Sequence, residues 1–209
     1  MKSGRLAVIP RLQPTGLAAK EREMPGQPAE HADLNRNFPK SGKPDQAETE
    51  LGQSIWAFAK ELRPDWVLDL HEGIAIHRQN PDSNASTILC RPDETTRPIF
   101  ERALAAVNAS IEDPDSHFMM KSRSKTANGR LARAAMERLG ATSAILETTY
   151  SGIPLAVRIR QHRLMVNRIL RDLGMVSAGS DDLVFRAEGD TETIWIAIYQ
   201  DQGVGGNLA

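Results

Sequence analysis

The sequence predicts an α/β fold: a mixed, mostly parallel sheet with helices on both faces. Short apolar runs bounded by turn residues recur along the chain, and helical periodicities lie between several of them. The runs read as buried on both sides, as strands do when helices cover both faces of a sheet.

Each element has its own signal. "LAVIP" (6–10) predicts a first strand. Residues 11–45 follow with five prolines and little periodicity. An irregular stretch of that length inside a compact domain points to function. Over 46–62, Leu51, Ile55, Phe58, Ala59 and Leu62 recur at helical spacing, and Pro64 stops the helix. "WVLDLH" (66–71) and "STILC" (86–90) predict the next strands. Over 98–111, a helix opens on Pro98 and carries Ile99, Ala103, Val107 and Ile111 on one stripe. The basic stretch "KSRSKTANGR" (121–130) reads as a solvated loop before a helix over 129–139. "SAILET" (143–148) predicts another strand, and residues 154–173 a last long helix.

The division expected is a main α/β domain over 1–176, with 177–209 as a linker and the start of a second domain. "SAGSDD" (177–182) has linker composition, and "IWIAIY" (194–199) reads as a strand without a neighbour.

Composition narrows the function classes. Of 209 residues, 26 are Lys or Arg and 27 are Asp or Glu, a formal net charge of -1. That balance predicts neither a nucleic-acid partner nor a polybasic membrane surface. No apolar run approaches the ~20 residues of a membrane span. The single cysteine, Cys90, leaves no internal disulfide framework and fits a reducing, cytoplasmic setting.

Three short motifs carry chemistry. In "VLDLHEG", His71 ends an apolar strand, so its ring should emerge at the rim where α/β sheets hold ligands. A neutral imidazole there serves as a zinc ligand or general base, although a lone case is more often a strand-end cap. In "AILETTY", Glu147 leaves a buried strand in the same way. A carboxylate bordering an apolar core has a raised pKa suited to proton transfer near neutral pH, and taken alone it reads as a salt-bridged structural residue. In "ADLNRNFP" (32–39), Asn35 and Arg36 present amide and guanidinium donors to one volume, and a guanidinium matches a carboxylate. Arg22 adds a second cation. The plainer reading pairs Arg36 with Asp33 or Glu30.

The order Arg22, "DLNRNFP", "LDLHEG", "ILETTY" resembles the zinc carboxypeptidase superfamily, including its succinylglutamate desuccinylase/aspartoacylase branch. "LAVIPRLQPTGL" is similar to that family's strand and "NP-x-G" turn, with Gln13 in place of Asn. The resemblance spans about residues 5–175. It implies His71 as a zinc ligand, Glu147 as the general base and Arg22 as the cation that steadies the oxyanion. It further implies Asn35 and Arg36 as holders of the substrate's free carboxylate. The substrate would be a small carboxylate-bearing molecule or a peptide C-terminus, and the reaction hydrolysis of the adjacent amide.

One departure stands out. The family takes two more zinc ligands from an H-x-x-E motif. Here His31, His71, His77, His117 and His162 are followed three positions on by Leu34, Ile74, Asn80, Met120 and Met165. The spacing of His31, Glu72 and His77 does not support them as replacements, and each reads as a surface residue. The expectation is a domain short of its N-terminal strands, with an exposed sheet edge through which copies would pair. Three functions stay open: a zinc-dependent metallocarboxypeptidase or related deacylase, a metal-free carboxylate-binding domain, or a non-catalytic piece of a larger two-domain protein.

Overall fold

A computed structural model describes residues 5–122 and 127–177. The readings made for 178–209 lie outside the described residues.

Among the described residues four strands form one mixed sheet: β1 (Trp66–Gly73), β2 (Thr87–Cys90), β3 (Met119–Ser122) and β4 (Thr142–Thr149), in the order β1-β4-β2-β3. β1 runs parallel to β4 and β2 parallel to β3, while β2 and β4 are antiparallel. Among the described residues six α-helices accompany it: α1 (Pro14–Ala19), α2 (Ala29–Ala32), α3 (Glu50–Leu62), α4 (Arg97–Asn108), α5 (Leu131–Leu139) and α6 (Leu155–Asp172). Among the described residues no helix is long and apolar enough to cross a membrane.

Strand alternation sorts side chains onto two faces. Leu70, Ile88, Ala144 and Leu146 join Phe100, Ala103 and Val107 of α4 and Met165, Val166 and Ile169 of α6 in the largest core. On the opposite face Leu89 and Ile145 meet Ala132 of α5, and Val67 packs against a cluster built from Leu34, Phe38, Trp56 of α3 and Leu131 of α5. Trp56 is buried and donates its indole N–H to Asp45 at 3.0 Å. Truncating so large a buried ring costs about 3–5 kcal/mol.

Local signals set the helix ends. Thr49 caps α3 by accepting from the Gly52 N–H at 3.2 Å, and Gly140 closes α5 in the left-handed region at φ 70°.

The expected strand at 6–10 does not join the sheet. A strand forms only where another takes up its backbone groups, and no described strand pairs with this segment. Ile9 instead packs against the Leu34–Trp56 cluster. β3 was not legible as a strand. Its "MMKS" carries no β-branched residue and is only partly buried, so its pairing with β2 defines it.

Candidate ligand site at the ends of two parallel strands

The site grows from one register. His71 of β1 and Glu147 of β4 are direct partners across the ladder, at the carboxyl ends of both strands. They are 3% exposed each. Asp69, two residues before His71, shares its face, and its Oδ2 lies 2.9 Å from His71 Nε2.

Asn35 crosses from the irregular loop to join them. Its Oδ1 accepts from the Leu131 N–H at 2.9 Å, supplying a cap for α5 that the preceding Arg130 does not provide. That bond fixes which way the amide points. Its Nδ2 therefore faces Asp69 Oδ2 at 3.2 Å and His71 Nε2 at 2.9 Å. With Nε2 bare, His71 accepts from Asn35; with Nε2 protonated, it donates to Asp69. The Asn35 amide thus faces inward, and the side chain is 3% exposed.

The cations surround this centre. Arg22 donates to Asp33 at 2.7 Å, and Arg36 stands 3.5 Å from the same carboxylate while donating to the Asn35 carbonyl at 2.7 Å. The pairing of Arg36 with Asp33 is the one the plainer sequence reading expected. Arg130 enters from the turn before α5. That turn is set by Gly129, at φ 81°, whose carbonyl accepts from the Phe38 N–H at 3.0 Å. A Cβ on Gly129 would overlap the Arg36 carbonyl, so only glycine fits.

Protonation follows from this crowding. Burial opposes charging His71, yet Asp69 and then Glu147 outweigh it and hold its pKa above the usual value. Burial raises the Glu147 carboxyl, against the partial opposition of His71 and Arg130. Burial and the neighbouring Arg36 lower Arg130. The charges of Arg22 and Asp69 also reach Glu147, and those of Arg22 and Arg36 reach Arg130. All five residues singled out in the sequence thus belong to one electrostatic neighbourhood.

Asp69 and Arg130 were missed. The first had a signal: an acid inside an apolar strand at even spacing from His71. The second was absorbed into an expected solvated loop, whereas Gly129 is buried and Arg130 partly so. Glu72, weighed as a spare ligand and read as a surface residue, is buried on the opposite face, ion-paired with Arg158. His31 lies 3.2 Å from Asn37 Oδ1 and His77 2.6 Å from the Ser83 carbonyl, both away from His71 in their contacts. Cys90 is buried, with its thiol pushed up to about 12 by burial.

Three polar atoms here have no partner among the described residues: Glu147 Oε2, Arg22 Nη1 and Arg130 Nε. Buried groups are ordinarily satisfied, so these three atoms are open to a further partner. A metal is a poorer fit. No cluster of three His, Cys, Asp or Glu side chains among the described residues could hold one, and His71 Nε2 is already engaged.

No family model and no curated protein sequence matches the chain. Solved structures of Csd4 from Helicobacter pylori, a D,L-carboxypeptidase, do resemble it. The mDAP-bound form aligns with a TM-score of 0.57 at 19% identity, over 70% of this chain and 39% of that one. A variant of Csd4 aligns with a TM-score of 0.59 at 19% identity, over 79% and 42%. The chain therefore spans less than half the length of these structures, and the likeness shows a carboxypeptidase-like fold.

Proposed function

We propose that this chain is a carboxypeptidase-like domain that binds a small molecule or peptide end through its free carboxylate. The observation that carries the reading is the set of unpartnered atoms at one rim: two guanidinium donors, Arg22 Nη1 and Arg130 Nε, with Glu147 Oε2. A bound carboxylate would accept from the guanidinium groups, with Arg36 on the solvent side adding attraction. The positioning role falls to Asn35, whose amide holds His71, Asp69 and α5 together. Solved forms of Csd4 carry mDAP and a tripeptide, which supports a peptide ligand of that kind.

Hydrolysis of the amide beside that carboxylate is the reaction the geometry favours. Glu147, with its raised pKa, would accept a proton from the attacking water and return it to the leaving amine. Nearby guanidinium groups would offset charge developing on the carbonyl oxygen. Zinc assistance would need ligands beyond the described residues. A cytoplasmic setting remains part of the proposal, on the single cysteine. The test is binding of an N-acetyl dipeptide as free acid against its carboxamide, with release of the terminal amino acid followed in parallel.

A further inference from the structure

The side of the sheet away from the site holds a buried polar cluster that the proposed reaction does not use. His162 of α6 donates Nε2–H to the Leu146 carbonyl at 3.0 Å, with its ring close to His71. Leu146 immediately precedes Glu147. One helical turn earlier, on the same side of α6, Arg158 is ion-paired with Glu72, the residue after His71. Thr148, the residue after Glu147, donates to the same Glu72 at 3.3 Å. Two side chains of one helix therefore grip both strand ends at the positions that carry the site.

We propose that His162 is a positioning residue: it fixes the end of β4 from behind the sheet while Arg158 holds the end of β1, so that His71 and Glu147 stay side by side on the front. An apolar residue of similar size would fill the core equally well at this depth, where a polar ring is costly unless it bonds. The position instead carries a ring whose N–H holds the β4 backbone at Leu146, immediately before Glu147. Its effect reaches the ligand through His71, Asn35 and the Leu131 N–H that Asn35 holds.

This inference rests on the proposed carboxylate site, so the experiment reads the protein with and without ligand. Four chains are compared: wild type, His162→Phe, His162→Gln, and Ile169→Val, an α6 core variant away from the strand ends. Without ligand, hydrogen exchange of the Leu131 amide is followed. With ligand, the dissociation constant of an N-acetyl dipeptide free acid is measured. His162→Phe is expected to speed Leu131 exchange relative to global stability and weaken the peptide about tenfold, the equivalent of one buried hydrogen bond. His162→Gln, which keeps a donor N–H, is expected to restore most of both, and Ile169→Val to leave both unchanged. Should His162→Phe not fold, His162→Met takes its place. Wild-type Leu131 exchange in the donorless variant, or an equal change in Ile169→Val, overturns the positioning role. A wild-type chain that ignores the peptide overturns the binding reading alone, since the exchange comparison still decides for His162.

Discussion

His71 and Glu147 are cross-strand partners in a parallel ladder, and each biases the proton of the other. The Glu147 charge favours the imidazolium, and the imidazolium favours the carboxylate, while burial works against both charges. Two groups that share a buried, charge-crowded volume in this way couple stability to pH.

The sign of that coupling is fixed by the shifts. Glu147 is raised above the 4.5 of a free glutamate, so its contribution is complete at acid pH and falls away as pH rises past that value. His71 is raised above 6.5, so the stability it adds is present below 6.5 and lost as pH climbs through its folded value. His162, lowered from 6.5 to about 4 by burial, adds stability as pH rises to 6.5 and opposes the Glu147 loss, so urea midpoints should fall only above 6.5, as His71 loses its proton. Glu147→Gln should remove the Glu147 loss, so that midpoints rise more steeply up to pH 6.5, and gain about 1–2 kcal/mol at pH 8, by removing a buried carboxylate with an unbonded oxygen.

Asn35→Ala removes three contacts at once, to Leu131, Asp69 and His71. Loss of about 2–4 kcal/mol in urea denaturation is expected, because buried donors and acceptors are left unpaired. Peptide binding should weaken even at temperatures where the variant is fully folded.

Gly129→Ala and Gly140→Ala separate backbone strain from crowding. Both positions lie at positive φ, but a Cβ at 140 meets open space while one at 129 meets the Arg36 carbonyl. The change at 140 should cost about 1 kcal/mol and spare binding. At 129 the cost should exceed about 3 kcal/mol, with binding lost alongside it. Thermal melts and peptide titrations of the two variants check the contrast.

Much of this was legible in the sequence. The apolar runs of β1 and β4 and the stripes of α3 to α6 announce themselves, since burial on a helical or sheet face leaves a local pattern. His71 and Glu147 follow from their places at strand ends. Residues placed by contacts between distant segments leave no such pattern. Arg130 reaches the site because Gly129 lets two loops touch, and β3 exists because β2 lies beside it. Strand alternation alone would have put Asp69 with His71 and sent Glu72 to the far face, where Arg158 holds it.

Arg130→Ala probes the cation that the sequence reading overlooked. Its Nε has no partner among the described residues, so folding should change by less than about 1 kcal/mol while peptide affinity falls by about tenfold or more. Arg130→Lys should recover little, because an ammonium cannot reproduce the planar fork.

The most direct measurement is a pair of calorimetric titrations of the wild-type chain with an N-acetyl dipeptide, once as the free acid and once as the carboxamide. A carboxylate seated between Arg22 and Arg130 predicts that the acid binds at least about tenfold tighter than the amide, with the gap narrowing as pH rises and His71 loses its proton. Equal affinity for the two peptides, or none for either, would contradict it.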